Sequence, residues 1–153
     1  MSEKNPIEKA VQVVVAAWSD PAFKSELLAD PRRALAGLGI EIPQGIDLDV
    51  RDNDGDVHHV IVCTQCSCWP TFLSPMPPFW KNSEYIARVV ADPRTALIEM
   101  GLTLDPDEPV NVVDTTPRRR AMVIPRRPSA SEGQTAAALA PYVNNLNIAG
   151  YAR

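Results

Sequence analysis

The chain has 153 residues, 45% of them hydrophobic and 22% charged. That is one ordinary domain, able to bury a core without staples. The net charge of −4 argues against a nucleic-acid partner, and no apolar run reaches the roughly 20 residues of a membrane-spanning helix. The N-terminus carries no signal-peptide pattern, and the 3 cysteines form no disulfide framework, so the expectation is a soluble cytoplasmic protein with a metal or redox site.

In chain order, residues 7–18 read as a helix with Ile7, Ala10, Val11, Val14 and Val15 on one face. The run Val13-Val14-Val15 also suits a strand. From Trp18 onward the chain is two copies of one unit. Laid over itself so that Trp18 falls on Trp80, it brings Ala29-Asp30-Pro31-Arg32 onto Ala91-Asp92-Pro93-Arg94. Gly39 then falls on Gly101, Val50 on Val112 and Asp52 on Asp114. Two copies of a long period make a duplicated supersecondary unit, not a solenoid.

Each copy, 18–62 and 80–124, has the same grammar. A helix (21–28 and 83–90) stops at Asp-Pro, because the residue before proline is biased away from helix. Proline starts a second helix (31–38 and 93–100), and Gly39 or Gly101 supplies its left-handed cap. Asp30 and Asp92 therefore read as caps, not acids. Two strands follow, at 46–50 and 59–62 in the first copy and 110–113 and 121–124 in the second. The turn Asn53-Asp54-Gly55-Asp56 separates the first pair. Residues 69–80 are a proline-dense connector. The tail 125–153 is expected to be extended, lying on this domain or reaching for a partner. The expectation is one α+β domain over 1–153, layered α/β/β/α and built from a duplicated helix-helix-strand-strand unit. Trp18 and Trp80 recur and read as core. Arg118-Arg119-Arg120 reads as a solvated turn.

The cysteines, Cys63, Cys66 and Cys68, sit in a loop at 63–68 where the second strand of copy one ends. The counterpart in copy two, from Pro125, has none, which marks a functional loop. Structural zinc needs four ligands, with His58 or His59 as the fourth. However, Cys-x-Cys is tight for a tetrahedral chelate, no second knuckle exists, and both histidines read as surface or half-buried. A thioredoxin-like pair opens a helix, whereas prolines follow here. A third reading uses the tight spacing. The sulfurs of Cys66 and Cys68 and the deprotonated amides of Ser67 and Cys68 form a square around a metal. Cys63 reaches one axial position, and the other stays open. Such anionic donors suit trivalent cobalt or iron, a Lewis acid with an open site.

Val62-Cys63-Thr64-Gln65-Cys66-Ser67-Cys68 resembles the Val-Cys-Thr-Leu-Cys-Ser-Cys claw of the nitrile hydratase alpha subunit. The resemblance continues through Pro70, Pro77-Pro78, Trp80, Tyr85, Arg88-Val89-Val90, Met122-Val123 and Arg127-Pro128, and covers nearly the whole chain. It implies a nitrile hydratase alpha-like fold and the hydration of a nitrile to an amide. It implies that Cys63 is the axial thiolate, that Cys66 becomes a sulfinate and Cys68 a sulfenate, and that Ser67 and Cys68 give amide nitrogens. The Cys68 sulfenate would act as nucleophile or base, with Ser67 beside it in the catalytic claw. Thr64 and Trp69 favour Co(III) over Fe(III). Trp69 would serve as pocket wall or partner contact, and Thr71 would line the pocket.

The implied partners are one beta-type subunit or two smaller ones, whose arginines hold the oxidised cysteines, and a cobalt-delivery activator protein. Arg126 and Arg127 would lie near the claw or pair with a partner subunit. There are departures: Gln65 replaces Leu, Ile86 replaces Arg, and the loop before Tyr85 is one residue short. Thr71 replaces a Trp, leaving room for a bulky nitrile. The long N-terminal extension that wraps the beta partner in typical alpha subunits is missing from the match. Short subunits of this kind occur in three-subunit relatives, toyocamycin nitrile hydratase and thiocyanate hydrolase, and Thr71 favours the former. The alternatives are a thiocyanate hydrolase metal subunit and a non-catalytic metallochaperone or leader-like relative.

Overall fold

A computed structural model describes residues 7–64, 69–76, 80, 82–128 and 135–152. The expected ligands Cys66, Ser67 and Cys68 lie outside the described residues.

The first element is α1, Glu8–Ser19. The helical period prevails over the three-valine run because Ala10, Val13, Val14, Ala17 and Trp18 are all buried along it. Asp20 ends α1, its N–H bonding to Ala16 O, and its carboxylate caps α2 (Pro21–Ala29) by accepting from Ala22 N at 3.0 Å. Asp30 repeats the device for α3 (Pro31–Gly37), accepting from Arg33 N at 3.2 Å.

In the second copy, α4 (Ser83–Ala91) gives way to α5 (Pro93–Glu99) at Asp92, which accepts from Thr95 N at 3.2 Å and Thr95 Oγ1 at 2.7 Å. The two aspartates before proline are caps, as their recurrence implied. The arginine that follows each proline has its own task. Arg32 donates to the carbonyls of Ile42 and Ile46, and Arg94 to those of Asp105 and Glu108, so each guanidinium fastens a helix to the loop that feeds the next strand. Gly39 (φ 77°) and Gly101 (φ 98°) turn the chain out of α3 and α5, with Ile40 N bonding to Leu35 O and Leu102 N to Leu97 O.

The strands are β1 (Asp47–Asp52), β2 (His58–Val62), β3 (Val110–Asp114) and β4 (Arg119–Ile124). Neither copy pairs its own two strands. β1 runs parallel to β4, from Asp47 opposite Arg119 to Asp52 opposite Ile124. β2 runs parallel to β3, from His58 opposite Val110 to Val62 opposite Asp114. Each two-stranded sheet therefore takes one strand from each copy. A short turn cannot return a chain parallel to itself, so residues 53–57 carry it from one sheet to the other. Buried Asn53 makes this possible: its side chain accepts from His59 N at 2.7 Å and donates to His59 O at 2.9 Å.

The helices α2 and α3 cover β1, α4 covers β2 and α5 covers β3, while β2 meets β1 and β4 between the sheets. The result is α/β/β/α. Val60, Val62, Met122 and Ile124 are fully buried at its centre.

The tail departs from the extended form expected of it. Its alanine-rich stretch forms α6 (Ala136–Leu139), because alanine loses least on entering a helix. Two short 3-10 turns follow, Ala140–Tyr142 and Asn147–Ala149. The tail then lies on β2. His58 Nε2 donates to Gly150 O at 2.6 Å, and Tyr151 Oη donates to Ile61 O at 2.5 Å. His58 is thus 1% exposed rather than half-buried, because it anchors the tail. His59 is half-buried, and its pKa is lowered by burial first and by Arg51 next. Among the described residues no helix is long and apolar enough to cross a membrane.

Candidate metal centre

The cysteine-bearing segment begins at the end of β2, and that strand end is clamped. Val62 O accepts from Thr115 N at 2.9 Å and from Thr115 Oγ1 at 3.3 Å. Cys63 follows, 3% exposed, its Sγ 3.9 Å from Thr115 O. Thr64 is then held twice by the carboxylate at the end of β3. Asp114 Oδ1 accepts from Thr64 N at 3.0 Å, and Asp114 Oδ2 from Thr64 Oγ1 at 2.5 Å. A buried sulfur therefore stands on a rigid strand end, flanked by two residues whose backbone is tied to β3 and its continuation.

The expected metal ligands divide accordingly. Cys63 is placed; Cys66, Ser67 and Cys68 lie outside the described residues. Among the described residues no group of three or more His, Cys, Asp and Glu gathers to hold an ion. The histidines considered as a fourth zinc ligand are committed elsewhere: His58 faces Gly150 O and Asn53, and His59 Nδ1 lies 3.1 Å from Asn111 Nδ2. Among the described residues Cys63 therefore has no histidine beside it to complete a zinc site. The donors the sequence expects, thiolates and backbone amides of 63–68, would suit a trivalent transition ion better than zinc.

Asp114 and Thr115, which hold Thr64 and the end of β2, are contacts that the sequence did not point to. The one available signal was the identity of Asp52 and Asp114 in the repeat. The two carboxylates have diverged: Asp52 accepts from Asp54 N at 2.9 Å and pairs with Lys24 at 2.9 Å, a local turn contact.

The chain returns from the loop at Trp69. This indole was expected on a pocket wall or at a partner contact. Within this chain it is 3% exposed, edge-on to Trp80 with centroids 4.8 Å apart and an interplanar angle of 77°. Its Nε1 donates to Ser74 O at 3.1 Å and lies 3.2 Å from Ser74 Oγ, and a ring so satisfied has no reason to stay at the surface. Thr71 is exposed and lines a groove of about 390 Å³.

Neither Arg126 nor Arg127 is idle within the chain. Arg126 pairs with buried Glu108 at 3.2 Å, and Arg127 Nη1 donates to Trp18 O at 2.9 Å. Arg119 also departs from a purely solvated turn, since it joins Arg51 on Asp49, at 2.7 and 2.9 Å.

The family model described as "Nitrile hydratase, alpha chain" matches residues 1–152. The chain is 41% identical over 141 residues to the cobalt-containing nitrile hydratase subunit alpha of Pseudonocardia thermophila, covering 91% of this chain and 69% of that one. Among solved structures, it is similar to a histidine double mutant of the Fe-type nitrile hydratase from Comamonas testosteroni Ni1. The identity is 36% and the TM-score 0.88, over 95% of this chain and 71% of that one. It is also similar to a recombinant thiocyanate hydrolase with partially modified cobalt centres, at 30% identity and a TM-score of 0.86 over 96% of this chain and 73% of the other.

Proposed function

The chain belongs to the nitrile hydratase alpha-chain family, and we propose that it is the metal-bearing catalytic subunit, adding water to a nitrile to give an amide in complex with beta-type subunits. The observation that carries this reading is the clamped exit from β2, which holds buried Cys63 and Thr64 at the head of the Cys-Ser-Cys segment. Cys63, Cys66, Ser67 and Cys68 would hold the metal, the cysteines through sulfur and Ser67 and Cys68 through their amide nitrogens. Thr64 and Trp69 favour Co(III) over Fe(III), and when bound the ion would supply a Lewis acid beside the nitrile.

The chain's own residues do the rest. Thr115 and Asp114 fix the backbone on either side of Cys63, so its thiolate needs little rearrangement to act as a ligand. Cys66 carries a sulfinate and Cys68 a sulfenate. The Cys68 sulfenate would either take a proton from water as the water oxygen attacks the nitrile carbon and pass that proton to the nitrile nitrogen, or itself attack the carbon. In the second case water would add at the Cys68 sulfur, breaking its bond to the transferred oxygen, renewing the sulfenate and giving its protons to the product. One water is added overall in either case. Arginines of the beta-type partner balance the charge of the oxidised sulfurs, and an activator protein delivers cobalt.

The test is co-expression with the partner subunits in cobalt medium, followed by metal analysis and product detection. About one cobalt per chain and conversion of nitrile to amide are expected; a cobalt-loaded complex inert on every nitrile would end the reading. The thiocyanate hydrolase neighbour supports a second reading in which the same centre hydrolyses thiocyanate. Turnover of thiocyanate without turnover of nitriles selects it.

A further inference from the structure

Arg118, Arg119 and Arg120 have no task in the reaction proposed above. They sit on a short, stiff turn that leads into β4. Thr116 N donates to Arg119 O at 3.0 Å, Arg119 N donates back to Thr116 O at 3.1 Å, and Arg118 O accepts from Asp47 N at 2.7 Å. The turn starts immediately after Thr115, the residue that clamps Val62, so it lies at the same end of the strands as Cys63.

The charges of this turn are not balanced within the chain. Arg119 meets Asp49 Oδ2 at 2.7 Å, but Asp49 is shared with Arg51, which meets its Oδ1 at 2.9 Å. Asp47 stands opposite Arg119 in the sheet. Arg51, Arg118, Arg119 and Arg120 thus outnumber Asp47 and Asp49 here, on a chain whose net charge is −4. Of the three successive arginines, only Arg119 has a carboxylate partner among the described residues. Arg118 is exposed. Arg120 is partly buried, and its Nη1 is shut off from solvent with no acceptor among the described residues. A guanidinium nitrogen so placed loses its hydration without gaining a hydrogen bond. A carboxylate brought in from outside would supply the acceptor where water competes poorly.

We propose that this turn is a docking site for a carboxylate-bearing segment of the beta-type partner subunit, with Arg120 as its shielded anchor and Arg118 at its rim. The proposal rests on the reading above, in which a beta-type partner meets the cysteine-bearing end of the chain.

The experiment titrates the full chain over immobilised beta-type subunits and reads Kd and its dependence on NaCl, with the Tm of each chain measured beside it. Arg33→Glu, at an exposed position on α3, is the control for net charge. Arg118→Glu should raise Kd at least about tenfold over that control at about 50 mM NaCl, and the loss should shrink as salt approaches about 0.5 M. Arg120→Met should raise Kd at least about tenfold at both salt concentrations, because its partner would be shielded from counterions. Its Tm should be no lower than the parent's, since the group removed has a buried nitrogen without an acceptor. A Tm that falls together with binding would make Arg120 a structural residue and overturn its role as anchor. A Kd for Arg118→Glu within about twofold of the control would overturn the docking site, whatever Arg120→Met does to the fold. A parent chain that fails to bind the beta-type subunits is a separate failure, of the underlying reading, and is seen before any variant is made.

Discussion

Asp114→Ala removes both acceptors that hold Thr64, at 3.0 Å and 2.5 Å, and leaves the sheets untouched. A hydrogen bond to an ionised group contributes about 1.5–3 kcal/mol when shielded from water. Asp114 is exposed, and water replaces part of what is lost, so about 1 kcal/mol for each bond is the better figure. Together that is about 2 kcal/mol, or roughly a 30-fold rise in the population of molecules with Thr64 detached from β3. Cys63 is 3% exposed, so a reagent must wait for that detachment.

The assay is alkylation of Cys63 by iodoacetamide in the reduced, metal-free chain, followed by peptide mass analysis. The variant should react roughly 30-fold faster, and Asp114→Asn, which keeps one side-chain oxygen for Thr64 N, should fall between it and the parent. A rate within about twofold of the parent would refute the clamp. A matching loss of global stability in denaturant would trace the effect to general unfolding instead.

Three further outcomes follow from the fold. Gly150→Ala places a Cβ 2.1 Å from His59 O and 2.8 Å from Val60 Cα at a φ of 88°. It should cost about 2–4 kcal/mol, seen as a fall in Tm of roughly 10 °C; an unchanged Tm would mean that the tail is not seated on β2. The Asp92 carboxyl is held below its ordinary value of 3.8 by the Thr95 hydroxyl and then by the Thr95 N–H. Its contribution to stability is therefore complete above that value and lost as pH falls through its lowered pKa, so Asp92→Ala should flatten the acid limb of a stability–pH curve. Burial pushes the Tyr151 phenol far above its ordinary value of 10.0. The stability it contributes is complete below about pH 10 and lost as pH rises further, so Tyr151→Phe should reduce alkaline destabilisation measured by circular dichroism.

The parts legible in the sequence are those governed by short-range chemistry. Asp-Pro-Arg announces a cap, a first helical turn and a tether, and Gly39 and Gly101 announce left-handed exits. The choice of strand partners is different in kind. β1 could satisfy its alternation beside β2 or β4, and only the buried Asn53 turn, read in three dimensions, sends β2 to the other sheet.

The candidate site divides in the same way. The cysteine spacing is local and therefore readable. The Asp114 carboxylate meets Thr64 only because β2 and β3 end side by side. The contacts of Trp69 with Trp80 and Ser74 were not legible because they act across the connector. The tail's seat on this domain was among the readings of the sequence, but its short helical turns were not, because its prolines, serines and asparagines outweigh a four-residue alanine-rich helix on composition alone.

The central claim is that the cysteines of one loop form an oxidised metal claw. The measurement that tests it most directly is peptide mass spectrometry of the 63–68 segment, taken from the cobalt-loaded complex without prior reduction. The account predicts three added oxygen atoms, two on Cys66 and one on Cys68, with Cys63 unmodified. Three unmodified thiols in that complex would contradict it.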